Sequence, residues 1–597
     1  MRRNLFGAPV SPKGEVLGCT ACPLNHQPNT QKVKGLVRIK GRKAMLWAEA
    51  PGPVENRRGR ELVGPTSQLL WEACELYGMS RSTFDIQNVC RCQPLNKEGH
   101  FRTPDKRELA CCSVYNEEAL ALNQGNAAVH VILGKVAAGQ LLGRNFRADR
   151  PVFWHAPWDC YIVLNEHPSY ISRIGGKSAG GEYLSWRDRF RAVAAILRHP
   201  GRWGFVKAQS YTTVRTLGEF DAMEKALRGE MREKRRVSLD VEDDTSGTRR
   251  RLLLAGFGTG HYRDGKPNSP WTGRCYSVVL DHPASGYEPS HLKAMQERVK
   301  KLVEDTGLEK SLQNGTYDGD ALRETLGATL KGYTYDTQYG TYLKYSWLRS
   351  CSLENLTYRF FPEFCDYKDV VEDWEGHYAK APIDRLVLRN CGDCDITQRL
   401  EQRFGPQVRQ PLVEVYIHAA RTLRRMEERG PLLDWPNWNA ANKIVPKMVR
   451  KLNDDLAMIT DDPQFDCDSP QQVAHFLYDV LKLPVTEAGR STVKTVLEYL
   501  QATCDNPQAN KAIGRINRRR AIGKLWNTYL KGFAKSAELH ADMLHTIWWL
   551  TGTVTGRLRS GKGDRAEAEG ILNLQNLSNN PLLQNLVCSD KNWRKAL

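Results

Sequence analysis

No run of apolar residues in this chain approaches the ~18 that a membrane-spanning helix needs, and no secretory leader opens it. Helical membrane insertion and export are therefore not expected, and the place of action is read as cytoplasmic. Internal repeats are missing too, which excludes a solenoid, and no long low-complexity segment is present. A disulfide framework is absent as a pattern. Eight of the 16 cysteines in the 597 residues fall in four close pairs (CTAC, CRC, CC, CGDC), which points to metal or iron–sulfur ligation. Acidic residues are in deficit, 68 against 86 Lys+Arg, for a net charge of +18, beside 15 Trp and 22 Tyr. Cations for phosphates and aromatics for bases make nucleic acid the expected partner, with a merely solvated basic surface as the alternative.

The length calls for several cores at ~100–200 residues each. Three textures follow one another. Residues 1–205 alternate short apolar strands ("KAMLWAEAPG", "AVHVILG", "DCYIVLNEHPS") with helical stretches. Residues 206–405 begin a second α/β region with "RRVSLDVEDD". Residues 406–597 read as mainly helical; "VEVYIHAARTLRRMEERG" carries apolar residues at helical spacing and stops at Gly430-Pro431. Pro- and Gly-containing stretches near 199–204 and 404–411 mark the boundaries of this α/β multidomain chain.

In the first region Cys19-x-x-Cys22 alone fits a zinc knuckle as well as anything else. It is followed in order by "AEAPGPVENRRGRELVG", "NVCRCQP", "ACC", "VILGKVAAGQLLG" and "EHPSY". Together these resemble the iron–sulfur (family 4) uracil-DNA glycosylases across nearly the first 200 residues. The resemblance implies a structural [4Fe–4S] cluster on Cys19, Cys22, Cys92 and Cys112, with Cys90 and Cys111 spare; zinc on the same thiolates is the alternative. It implies Asn88 as the amide that reads uracil, His167 against the charge developing on the leaving base, and Glu49 beside the attacking water. The family's stacking Phe is Leu62 here, and an acidic residue is replaced by Asn56. In the insert "NKEGHFRTPDKRELACC", Phe101 stands where the uracil-crosslinking relatives carry histidine, so crosslinking is not expected.

In the second region Asp240 and Glu242 of "SLDVEDD" are two apart and so share one face of a strand. Asp318 in "QNGTYDGDAL" and Asp393 in "RNCGDCDITQRL" follow. The order resembles the RNase H-like 3′→5′ exonuclease domain of family A DNA polymerases, and implies two Mg²⁺ or Mn²⁺ ions on these four carboxylates. Where that family has a water-orienting Tyr four residues before the last Asp, this chain has Arg389.

The third region resembles the thumb and the start of the palm of the same polymerases. "RINRRRAIGKLWNTYLKGF" places Arg519, Arg520 and Lys524 on or near one helical face, in register with a duplex-gripping helix. Thr555-Gly556-Arg557 and Asn573-Leu574-Gln575-Asn576 resemble that family's TGR and NLQN elements, where Thr555, Arg557, Asn573, Gln575 and Asn576 would meet the primer–template. The strand with the first metal-binding Asp and the fingers' helix do not follow; Asp590 in "CSDKNW" lacks their context. The expectation is the N-terminal subunit of a split family A polymerase from a bacteriophage, working in the host cytoplasm. Uracil-containing DNA, a single-stranded 3′ end and primer–template duplex are its substrates, and a second polypeptide brings fingers and palm. A stand-alone nuclease–glycosylase and a non-catalytic DNA-binding subunit are the alternatives, and an interrupted reading frame gives the same C-terminus.

Overall fold

A computed structural model describes residues 2–3, 9–10, 17–27, 32, 44–143, 150–265, 270–348, 350–561, 569–576 and 581–588. The chain divides into two compact units, Met1–Ile417 and His418–Leu597. The first holds two sheets. Strands β1 (Ala44–Ala48), β2 (Phe84–Asn88), β3 (Val129–Leu133), β4 (Val152–His155) and β5 (Cys160–Asn165) form one, in the order β2-β1-β3-β5-β4. All are parallel except β4. Alternation along β1 sends Leu46 to one buried cluster with Phe84, Leu70 and Trp186, and Trp47 to another with Ile132, Ile162 and Ala119. Both faces are covered, which is why these strands read as unbroken apolar runs. The chain goes from β1 to β2 on one side and then to β3 on the other. The carboxyl ends of these three strands therefore meet where open α/β sheets bind ligands.

The second sheet contains β6 (Tyr211–Val214), β7 (Val237–Asp244), β8 (Arg251–Thr259), β9 (Arg274–Val279), β10 (Lys310–Leu312) and β11 (Tyr333–Asp336), in the order β11-β10-β7-β8-β9-β6. Across it packs the helix Ile383–Phe404, continuously buried from Asn390 to Glu401. Glycines in β8 permit this approach: a Cβ on Gly256 would stand 2.6 Å from Asn390 Oδ1, and one on Gly258 3.2 Å from Cys394 Cβ.

The segment that follows the second sheet packs on the first. Tyr358 and Cys365, which follow the second sheet in sequence, complete the buried cluster of the first. Polar ties run alongside. Arg191 Nε donates to Glu363 Oε2 at 2.9 Å, the Tyr161 hydroxyl donates to Asp366, and Arg150 pairs with Asp369.

In the second unit, helix Trp435–Thr460 packs with helix Pro507–Lys524, which continues through a π-helical turn, Leu525–Leu530, into Lys531–Leu539. One apolar cluster gathers Leu456, Phe476, Leu497 and Ile513; a second gathers Leu433, Val445, Phe533 and Leu586. Beside the second, Leu432–Leu433 pairs antiparallel with Val587–Cys588, a short start of a sheet. The expected helix forms as Gln410–Arg429, and Gly430 after it has a positive φ of 22°. The mainly helical reading of this unit holds, as does the α/β reading of the first. Among the described residues no helix is long and apolar enough to cross a membrane.

Candidate functional site

Glu49, Asn88 and His167 leave the carboxyl ends of β1, β2 and β5, and so gather at one end of the first sheet. Asn88 ends β2 opposite Ala48, is 3% exposed, and its amide meets no partner among the described residues. Burial raises the Glu49 carboxyl above its ordinary value, against a hydrogen bond from Thr103 and the charge of Arg173. Arg173 also acts on His167, whose imidazole burial pushes down to about 4. His167 caps the helix Pro168–Arg173: Ser169 N–H donates to its Nδ1 at 3.3 Å, which leaves Nε2 to carry the proton of the neutral ring. Glu55, which the sequence reading passed over, lies within electrostatic reach of His167. Its Oε1 accepts from Val63 N–H at 3.0 Å and Gly64 N–H at 2.6 Å, and Gly52 and Gly64 leave room for that carboxylate. Leu62 has φ 47° and is 7% exposed in the buried cluster with Leu70 and Phe84, its carbonyl held by Trp71 Nε1 at 3.2 Å. Phe101 is exposed on the inserted loop.

Cys19, Cys22, Cys92, Cys111 and Cys112 line one cavity of about 70 Å³. Lys32 Nζ donates to Cys19 Sγ at 3.2 Å, and the Tyr115 hydroxyl stands 2.9 Å from the same sulfur. Burial pushes Cys22 up to about 12 and Cys92 up to about 11. Cys112 is held below its ordinary value by hydrogen bonding with Cys90. Buried thiols of this kind ionise only for a cation that takes their charge, so the donor set fits a thiolate-bound cluster or metal. Cys111 lines the cavity as fully as Cys112.

At the second sheet, Asp240 and Glu242 project from one face of β7 toward Asp393 of the helix Ile383–Phe404. Oxygens of these three carboxylates lie within 4.8 Å of one another. Asp318, in the first turn of the helix Thr316–Leu326, accepts from Val241 N–H at 3.0 Å, and its charge raises Asp240. Burial raises Glu242 to about 7 and Asp318 to about 8, and burial with the neighbouring carboxylates raises Asp240 well above its usual range. Such a cluster needs added positive charge to ionise, and its oxygen donors fit a hard divalent cation. Arg389 Nε donates to Glu242 Oε1 at 2.8 Å, and Lys368 Nζ stands 3.4 Å from Asp393 Oδ1. The Tyr367 hydroxyl donates to that same Oδ1, and Asn390 Nδ2 donates to Asp240 Oδ2 at 2.8 Å. The sequence reading missed Tyr367, Lys368 and Asn390. Only Asn390 had a signal, one helical turn before Asp393.

Two arginines of the basic helix, Arg519 and Arg520, are engaged by the protein itself. Arg520 donates from Nε to Cys467 O and from Nη1 to Thr492 O, both at 2.7 Å, which ties three segments together. Arg519 donates to Asn453 Oδ1 at 2.7 Å and pairs with Asp468 at 3.0 Å; Lys524 is exposed. Thr555 and Arg557 are exposed in the loop between the paired segments Trp548–Trp549 and Arg559–Ser560, with Gly556 at φ 75°. Ser560 Oγ donates to Asn573 Oδ1 at 3.0 Å and accepts from Gln575 N–H at 2.9 Å, so the second motif lies against the first. The Gln575 side chain is exposed. The backbone of Asn576 closes the short turn Leu574–Asn576; its side chain and Asp590 lie outside the described residues.

Residues 35–190 match the model of the uracil DNA glycosylase superfamily, and residues 437–577 that of DNA polymerase family A. A type-4 uracil-DNA glycosylase of Pyrobaculum aerophilum is 32% identical over 131 residues, covering 22% of this chain and 63% of the relative. One of Sulfurisphaera tokodaii is 30% identical over 172 residues, 29% of this chain and 66% of the relative. DNA polymerase I of Pseudomonas aeruginosa is 27% identical over 310 residues, 48% of this chain and 32% of the relative. The chain thus spans about a third of that polymerase and just under two thirds of the glycosylases. Among solved structures, the POL domain of Pol1 from M. smegmatis, in complex with DNA primer–template and dNTP, aligns with a TM-score of 0.40 at 20% identity, over 59% of this chain and 53% of that one.

Proposed function

We propose that this chain, a uracil-DNA-glycosylase superfamily region joined to a DNA polymerase family A region, excises uracil, trims 3′ ends and grips primer–template for a polymerase centre that other residues complete. The observation that carries the reading is the carboxylate cluster of Asp240, Glu242 and Asp393, built between the two matched regions. The match to the Pseudomonas polymerase takes in 48% of this chain, more than residues 418–597 hold, and so extends toward that cluster.

For base removal, the extruded uracil meets the unpartnered amide of Asn88, which donates and accepts at once. As the glycosidic C–N bond breaks, its electron pair passes into the base, and His167 Nε2–H donates to the oxygen that gains charge. Water adds to the sugar carbon and gives its proton to Glu49. Cys19, Cys22, Cys92 and Cys112 would hold a cluster whose role is structural, since excision has no redox step. Asp240, Glu242, Asp318 and Asp393 would hold divalent metal, which when bound would activate water and stabilise the leaving 3′ oxygen. Lys524, Thr555, Arg557 and Gln575, all exposed, meet the duplex in this reading. Nucleotidyl transfer needs palm carboxylates and a fingers helix in addition to these residues.

One gel series on a uracil-containing primer–template tests this. Abasic product should vanish in His167→Ala alone, and 3′ trimming should vanish in Asp240→Ala alone. A protein that binds duplex in a salt-sensitive way yet cleaves nothing would refute the enzymatic reading. One observation favours that binding-only alternative, the Arg389 guanidinium on Glu242.

A further inference from the structure

The carboxylate cluster is already partly filled by the protein's own donors. Each of its three members, and Asp318 beside them, has one oxygen engaged: Asp240 Oδ2 by Asn390, Glu242 Oε1 by Arg389, Asp318 Oδ1 by Val241 N–H, and Asp393 Oδ1 by Tyr367 and Lys368. These donors are not free to swing away. Ser277 Oγ donates to Asn390 Oδ1 at 2.6 Å, which turns the Asn390 amide nitrogen toward Asp240, and Asn390 is fully buried against Gly256. Arg389 lies over the Tyr378 ring at 4.7 Å while it holds Glu242, and Lys368 sits on the buried Asp393. Two of the donors are full cations.

Charge and ligand count then agree. Four carboxylates carry at most four negative charges, and Arg389 and Lys368 offset two of them. The remainder balances one divalent ion. A pair of ions would share a bridging carboxylate through both of its oxygens, and the one expected to bridge, Asp240, has Oδ2 capped by a side chain that is itself locked. A second ion would also have to sit beside a fixed guanidinium, where like charges repel. We infer that this site takes a single divalent cation, with Arg389 occupying the place and charge of a second.

The inference rests on the exonuclease reading proposed above, and the test separates the two. Mn²⁺ binding to the full-length protein is counted by calorimetry and by electron paramagnetic resonance, with Asp240→Ala to subtract sites elsewhere. The expected result is one ion per chain in the wild type that is lost in Asp240→Ala. A second, mutually broadened ion should appear in Arg389→Gln at least tenfold more tightly than any second ion in the wild type. Lys368→Met, on the more exposed of the two cations, provides the same comparison if Arg389→Gln fails to fold. Two ions of similar affinity in the wild type would overturn the inference and leave the nuclease reading standing. No ion in the wild type or in either variant would overturn both.

Discussion

Glu363→Ala tests whether the glycosylase-like sheet depends on the region that follows it. Arg191 is 18% exposed and Glu363 8%, with Nε–Oε2 at 2.9 Å, and Arg191 also donates to the Phe360 carbonyl. Removing one member of a largely buried pair leaves an unpaired charge and costs about 3–5 kcal/mol. The retained Phe360 contact places this case near the lower end, at about 3 kcal/mol. An unfolding entropy of ~2.1 cal/mol/K per residue over the 417 residues of the first unit is about 0.9 kcal/mol/K. The Tm of that unit should therefore fall by roughly 3–4 °C in scanning calorimetry. Replacing both partners with apolar residues (Arg191→Leu with Glu363→Leu) should recover most of the loss, because no charge is left stranded. A single variant that melts within 1 °C of the wild type would refute the reasoning, since the seam would then be solvated and the two sheets separable.

Two further outcomes follow from buried titratable groups. His130 is 3% exposed, accepts from Trp47 Nε1 at 3.2 Å, and is pushed down to about 3 by burial. Its unfolded pKa is ~6.5, so between these values the unfolded chain binds more protons and stability is lost as pH falls through that window. The loss is about 2 kcal/mol by pH 5, and His130→Gln should flatten the dependence of Tm on pH between 7 and 5; an unchanged slope would reject this. Lys310 is fully buried, with Nζ donating to the carbonyls of Asp305, Leu308 and Lys331 at 2.8, 2.7 and 3.0 Å. Lys310→Met strands three acceptors and should cost on the order of 3 kcal/mol in urea unfolding, whereas a neutral result would mean that water reaches them.

What the sequence disclosed depended on whether the signal was local. The apolar runs of β1 and β5 and the two-residue spacing of Asp240 and Glu242 are periodic features, and periodicity survives without tertiary context. Helix Gln410–Arg429 and its stop at Gly430 were readable for the same reason. Arg520 shows the limit. Helical spacing assigns it to a face but cannot reveal that carbonyls of Cys467 and Thr492 wait there, so a side chain read as a phosphate contact is a structural tie. Tyr367 and Lys368 were out of reach because nothing in their segment is periodic and their partner Asp393 lies on another element. Leu62 is the intermediate case. Its substitution was visible, but its positive φ and its place among Leu70 and Phe84 follow from how Glu55 grips the next two backbone amides.

The segment that crosses from one sheet to the other ties the two sheets into one compact unit. Four consecutive residues, 366–369, divide between two attachments, the outer pair to one side and the inner pair to the other. Asp366 accepts from Tyr161 and Asp369 from Arg150, both on the glycosylase-like side, while Tyr367 and Lys368 reach Asp393 in the carboxylate cluster. A stretch this short cannot shift at its outer residues without moving the inner two. The carboxylate site is thus held in place in part by β5 and by the buried cluster beneath it, to which Cys365 also belongs. Stability of the first sheet and ion binding at the second are, on this geometry, properties of one packed unit rather than of two modules on a linker.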